Sequence, residues 1–330
     1  MRRLALVLVL PAALLLAPGT VQAKDSPLDQ AKRAARQQSF EARVRVEWVD
    51  RRGGHVAELD VSSADGLMRM TGPGQETVVG ADTRFLLDEA GWSLLWPGGA
   101  GHTDDAPLAS KYELATGADG SVAGRPTVEV LVLEHGLLSE RMAVDSATGL
   151  VLRRELLDRT GALVRLVEVK ELRAGPAVKP AALRAPAPAH TEHPRTMAAV
   201  PAPFRAPAWL DGEYRRVGAF VRGHVVHVLY SDGLHALSLF AQAGRLKSGD
   251  LPKGGERVRI GRGGAVRWSW PGGDVVTWEA GGLVYTAVGD APLEDVALAA
   301  ASMPSARRLP LADRLRRTCR GVIEALTGGS

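Results

Sequence analysis

From Phe40 the residues run Phe40-Glu41-Ala42-Arg43-Val44-Arg45-Val46-Glu47-Trp48, apolar and charged in strict alternation. A period of two places Phe40, Ala42, Val44, Val46 and Trp48 on one face and the charges on the other, the signature of a half-buried strand. Arg51-Arg52-Gly53-Gly54 reads as a hairpin turn, and His55 to Val61 returns. Short strands are expected again at Gly66 to Thr71, Glu76 to Gly80, Thr83 to Asp88 and Gly91 to Trp96, separated by Gly, Asp or Pro. After a Gly-rich stretch from Pro97 to Pro107, the pattern resumes within Gly120 to Lys170. Arg125 to Leu133 and Ser139 to Val144 are strands there, Asp145 to Gly149 a turn, and Leu150 to Asp158 with Ala162 to Leu172 a hairpin across Arg159-Thr160-Gly161. Strands at this spacing without helical periodicity between them predict an antiparallel meander and exclude βαβ units. One amphipathic helix precedes them, Ser26 to Gln38, with Pro27 at its first position and Leu28, Ala31 and Ala35 at helical spacing.

The clearest boundary lies at 174–207, where prolines recur at 176, 180, 186, 188, 194, 201, 203 and 207 among alanines. Such a segment predicts a semi-extended linker. Beyond it, 208–304 forms a second domain. Its strands are Arg215 to Val221, Val225 to Tyr230, Ala236 to Ala241, Glu256 to Ile260, Gly264 to Trp270, Val275 to Ala280 and Gly282 to Val288. A helix beginning at Pro292 or Leu293 and running to Met303 closes it, with Glu294 and Asp295 favourably placed in the first turn. The first domain spans 24–173, so the fold class is α+β, mostly antiparallel β. A tail, 305–330, carries an apolar stripe through Leu311, Leu315, Cys319, Val322, Ile323 and Leu326 beside six basic residues between 307 and 320. This tail is a candidate for peripheral contact with an anionic membrane or for packing onto its own domain.

The first 23 residues have the form of a secretory signal peptide. Arg2 and Arg3 precede the apolar run Leu4 to Ala17, and Val21-Gln22-Ala23 supplies a small-residue cleavage site. The run is interrupted by Pro11 and is too short for a spanning helix, which needs about 20 apolar residues. The expected location is therefore extracytoplasmic, after cleavage near Ala23. Removing this segment lowers the net charge from +4 to +2, with 39 basic residues against 37 acidic. No nucleic-acid footprint is present at that balance. Cys319 is the only cysteine, which excludes an intramolecular disulfide and a Cys-based zinc site.

Catalytic patterns are sparse. Ser231-Asp232 with His227 and His235 suggests a triad, but no G-x-S-x-G elbow accompanies them, and a hairpin turn built on Ser-Asp-Gly accounts for the residues better. His190 and His193 lack a third metal ligand, and the glycine runs Gly98 to Gly101 and Gly261 to Gly264 precede no helix that could cradle a phosphate. No cofactor, metal or enzymatic activity is expected. Two groups of apolar side chains stand out: Phe85, Leu87, Trp92, Leu94 and Trp96 as one apolar face that either holds a ligand or fills the core, and Trp268 with Trp270 on one face of a strand.

Three segments together resemble the MucB/RseB family of extracytoplasmic sigma-factor regulators. Ala123-Gly124-Arg125-Pro126-Thr127-Val128 is similar to the family's "V-A-G-R-x-A" strand start. Met142 to Glu155, with Asp145-Ser146-Ala147-Thr148-Gly149-Leu150 at its centre, is similar to "L-W-x-D-x-x-T-G-L-L-L-K-x-E". Tyr230-Ser231-Asp232-Gly233-Leu234, followed by Ser238-Leu239-Phe240, resembles the "Y-S-D-G-L-x-x-x-S-V-F" segment of the second domain. The resemblance implies a curved sheet wrapped around helices, as in the LolA/LolB lipoprotein carriers, plus a smaller C-terminal α+β domain. It implies a non-catalytic protein that binds the exported part of an anti-sigma factor, with lipid or lipoprotein as a second candidate ligand on the Phe85 to Trp96 face. Tyr230, Trp268 and Trp270 are the candidate partner contacts. The competing reading is a LolA-type carrier of lipid or lipoprotein, which leaves the second domain unexplained.

Overall fold

The computed structural model describes residues 27–64, 67–72, 75–79, 111–176, 193–194, 204, 206–211, 213–222, 225–246, 251–260 and 263–303. The leader, the tail, most of the linker and the candidate residues Phe85, Leu87, Trp92, Leu94 and Trp96 lie outside these residues, as do the strands expected at 83–88 and 91–96.

Helix α1 (Pro27–Gln37) opens the described chain, followed by strands β1 (Phe40–Asp50), β2 (Gly53–Ala64), β3 (Leu67–Gly72) and β4 (Gln75–Val79). The first domain continues with β5 (Tyr112–Val122), β6 (Arg125–Glu134), β7 (Leu137–Asp145), β8 (Val151–Leu157) and β9 (Leu163–Ala174). All are antiparallel in the order β4-β3-β2-β1-β9-β8-β7-β6-β5, a meander whose last strand returns beside its first, with Phe40 opposite Ala174 and Trp48 opposite Arg165. The alternation of β1 is obeyed: Phe40, Ala42, Val44 and Val46 are buried, and Ala34 and Ala35 of α1 cover them. Strand β5 carries no alternation and is exposed over most of its length. It holds its place as the sheet edge through its pairing with β6, which explains why the sequence pattern starts only after it.

The family-like segments explain themselves locally. Ala123 and Gly124 take φ of 51° and 71°, the left-handed pair of a type I′ hairpin turn joining β5 to β6. Asp145 ends β7 and accepts from Thr148 N at 3.0 Å, closing the turn, while Arg125 Nε and Nη2 grip the same carboxylate at 3.1 and 2.8 Å. Gly149 has φ of 76°, and a Cβ there would sit 3.2 Å from Ala34 Cβ, so α1 packs closely over this turn.

The second sheet holds β10 (His193–Pro194), β11 (Trp209–Leu210), β12 (Tyr214–Arg222), β13 (Val225–Ser231), β14 (Ala236–Ala243), β15 (Glu256–Ile260), β16 (Gly263–Trp270), β17 (Gly273–Ala280) and β18 (Leu283–Gly289). Its order is β10-β12-β13-β14-β18-β17-β16-β15, with β11 also on β12. Helix α2 (Leu293–Ser302) packs Val296, Ala299 and Ala300 against Tyr214, Tyr230, Trp278 and Tyr285. The proline-rich segment is not wholly separate from this sheet. His193 and Pro194 pair with Val221 and Phe220 at its edge, the one place where a proline's missing N–H costs nothing. Among the described residues no helix is long and apolar enough to cross a membrane.

Candidate partner-binding cleft between the two sheets

The two domains meet through the turn between β13 and β14. Gly233 (φ 90°) lets the chain reverse, and Leu234 at its tip is fully buried in a cluster with Leu28 and Ala31 of α1 and with Tyr112, Val130, Val132, Met142 and Val144 of the first sheet. Ser231 and Asp232 shape the turn rather than act in chemistry. Ser231 Oγ donates to His235 O at 2.9 Å and accepts from Gly233 N, and Asp232 Oδ1 accepts from the backbone N–H groups of Leu234 and His235. His227 turns away to contact Ser238 Oγ and stacks on Phe240.

Around Leu234 lies a buried polar network that crosses between the domains. Lys111 Nζ reaches Asp232 Oδ2 at 2.9 Å and Asp295 Oδ2 at 3.0 Å, and Tyr112 OH donates to Asp232 Oδ2 at 2.7 Å. His235 Nε2 contacts Glu140 Oε1 at 2.6 Å, and its Nδ1 lies 3.4 Å from Asp232 Oδ2. Glu140 is held by Arg154 through Nε and Nη2, both at 2.9 Å, while Arg154 Nη1 extends to Asp290 Oδ2 at 3.0 Å. Burial by itself favours neutral His235, but the carboxylates of Asp232 and Glu140 outweigh it and push the imidazole up to about 10. Glu140 would be raised by burial, yet Arg154 and His235 bring it down to about 2. Asp232 is likewise held well below the usual carboxylate range, against its burial, by His235 and Lys111. His235, Glu140 and Asp232 are therefore charged at neutral pH, each beside a partner of opposite sign.

Beside this network opens a cleft of about 660 Å³ whose walls come from both domains. The first sheet contributes Val49, Leu137, Leu138, Leu156, Leu157 and Val164, and the second domain contributes Arg267, Ser269, Ala291, Pro292 and Leu293. On the cleft wall Val49 and Leu137 are 53% and 58% exposed. Two ion pairs join the domains nearby, Arg51 to Glu256 at 2.6 Å and Arg159 to Glu294 at 3.2 Å.

The candidate contacts taken from the sequence fall elsewhere. Tyr230 is fully buried and its hydroxyl donates to Pro207 O at 3.1 Å, so it is a core residue with no surface to offer a partner. Trp268 and Trp270 do share one face of β16, half-buried, but it is the face opposite Arg267 and Ser269, which line the cleft. Trp268 Nε1 donates to Pro252 O at 3.3 Å, and its ring covers Gly255. The buried network and the cleft carry a signal that sequence reading passed over: Glu140 and Arg154 of the network and Arg165 of the cleft occupy inward-facing positions in strands whose other inward residues are apolar.

The described residues thus form two antiparallel sheets that share a cleft lined by apolar and charged side chains. Residues 67–187 match the MucB/RseB N-terminal domain. Over 270 residues, 73% of this chain and 81% of the relative, it is 29% identical to the sigma factor AlgU regulatory protein MucB of Pseudomonas aeruginosa. The solved MucA/MucB complex of Pseudomonas aeruginosa aligns with a TM-score of 0.50 at 23% identity, over 84% of this chain and 97% of that one. A crystal structure of MucB aligns at 0.48 and 23%, over 84% and 95%. The match to the MucB/RseB N-terminal domain thus takes in strands β3 to β9 of the first sheet.

Proposed function

We propose that this chain is a non-catalytic extracytoplasmic regulator that binds the exported segment of a membrane-anchored anti-sigma factor in the cleft between its sheets, and so modulates an envelope-stress sigma-factor response. The observation that carries this reading is the cleft itself, which leaves Val49 and Leu137 uncovered and draws its walls from both domains. Apolar surface of this kind, rimmed by charge, marks an interaction site. The relative's name, a regulatory protein of sigma factor AlgU, and the solved complex of MucB with MucA support the choice of partner. Residues 1–23 serve as the export signal, 24–173 and 208–304 as the two domains, 174–207 as the linker, and 305–330 as a basic helix able to lie on an anionic membrane. Lipid or lipoprotein is the second ligand, taken by the face carrying Phe85, Leu87, Trp92, Leu94 and Trp96. Trp268 and Trp270 serve packing rather than the partner.

The test is a pull-down with immobilised residues 24–330 from a detergent extract of the source cell's membranes, run beside Leu137→Asp, with mass spectrometry of proteins and lipids. A single-span anti-sigma protein retained by the native chain and lost with Leu137→Asp supports the reading. Lipid or lipoprotein without any such protein moves the assignment to a carrier.

A further inference from the structure

Arg165 sits in the middle of β9, opposite Leu156 and Trp48, and its side chain faces the cleft. It is 9% exposed, and its guanidinium makes no hydrogen bond or ion pair among the described residues; Nε is buried without a partner. Its neighbours are treated differently. Arg154 is gripped by Glu140 and Asp290, and Arg267 by both oxygens of Asp274 at 2.9 and 3.0 Å. A buried cation is ordinarily paired, because removing it from water costs several kcal/mol. A void of about 10 Å³ beside it, lined by Arg154 and Asp290, is at the lower limit for one water, and a neutral molecule there does not offset the charge.

We propose that Arg165 is the centre of a carboxylate-binding subsite in the cleft, and that it takes an acidic side chain of the partner segment flanked by apolar residues. This inference rests on the cleft being the partner's seat. A guanidinium fork matches a carboxylate bidentately, and desolvated walls strengthen such a bond. Val49, Leu137 and Leu156 beside Arg165 suit the apolar flanks. Asp274 and Asp290 also act on Arg165, so a single negative charge is accommodated where a phosphate dianion would meet two carboxylates. In the free protein the charge is a burden: burial, joined by the charges of Arg154 and Arg267, lowers the Arg165 pKa against the pull of the two aspartates. A group that weakens the free fold and has no hydrogen-bonded partner among the described residues is the pattern of a binding residue.

The test is selection of a random linear-peptide phage library on residues 24–330, native, Leu137→Asp, Arg165→Gln and Arg165→Glu, followed by synthetic versions of the winners. The native protein is expected to enrich peptides with one Asp or Glu among apolar residues. Their affinity should fall at least about tenfold, equal to about 1.4 kcal/mol, on changing that residue to Asn or Gln or on Arg165→Gln. Arg165→Glu is expected to select Lys or Arg at the same position. Arg165→Gln should unfold at the native temperature or above it, a readout that a merely structural arginine would move downward. If that variant fails to fold, the peptide-side substitution still decides. Peptides that need Leu137 but show no acidic consensus overturn the subsite and leave the cleft reading standing. Peptides indifferent to Leu137→Asp overturn the cleft reading itself. Sodium dodecanoate bound through Arg165, with no peptide enriched, overturns the peptide as the source of the carboxylate.

Discussion

His235 Nε2 stands 2.6 Å from Glu140 Oε1, a contact between an imidazole of the second domain and a carboxylate of the first, both removed from solvent. It makes the union of the domains dependent on pH in a defined direction. His235 rises from 6.5 to about 10 on folding, so its contribution is complete below pH 6.5 and is lost as pH climbs through 10. Glu140 falls from 4.5 to about 2, so its contribution is complete above pH 4.5 and is lost as pH drops through 2. Stability should therefore plateau between pH 4.5 and 6.5. Above that range the decline attributable to His235 should approach about 1.4 kcal/mol per pH unit. Calorimetric melting across pH 4 to 10 checks this, with His235→Asn expected to flatten the alkaline limb. An unchanged limb in the variant would remove His235 from the account.

The same carboxylate supports a non-additivity prediction. Glu140→Leu leaves Arg154 and His235 buried beside a missing charge and should cost about 3 to 5 kcal/mol. Adding Arg154→Met should recover part of that loss, because two apolar side chains no longer oppose an orphaned cation. Denaturant melts of the single and double variants read the coupling directly. A double variant as unstable as the sum of the singles would show that the two side chains act separately.

Leu234 is the apolar half of the same junction. It has no exposed surface and fills a cluster otherwise built from α1 and the first sheet. Leu234→Ala should cost about 2 to 5 kcal/mol through the cavity it leaves. Because the lost contacts join the domains, the expected melt separates into two transitions, visible by scanning calorimetry. A single transition merely shifted downward would place the cooperativity of the molecule elsewhere.

Much of this architecture was legible in the chain. Alternation from Phe40 to Trp48 and the recurring glycine-bearing turns identified the antiparallel first sheet, and each of the seven strands expected after Trp209 is present with no end shifted by more than two residues. Strand β5 was invisible because an exposed edge strand buries neither face and needs no apolar rhythm. The site was harder to see. Tyr230 looked like a partner contact because aromatic residues favour interfaces, yet the same ring area favours a core, and only the position of α2 and Pro207 decides between them. Glu140 and Arg154 sit on neighbouring strands, but His235 and Asp290 are remote in sequence, and a charge in an inward register reads as a broken pattern until such a partner is found across the domain boundary.

The cleft walls make the last prediction. Leu137 is 58% exposed, so Leu137→Asp removes little buried area and should change stability by no more than about 0.5 kcal/mol. For a partner seated in the cleft the same substitution places a carboxylate against its apolar flank, next to Leu138 and Leu293, and should weaken binding at least about tenfold. Arg159→Ala, which breaks only the exposed pair with Glu294, should leave stability within about 1 kcal/mol and act mainly on the association rate and its salt dependence. Calorimetric titration and stopped-flow binding of the recovered anti-sigma segment distinguish the two effects. Equal loss of affinity in both variants would mean that the partner touches the rim and not the floor.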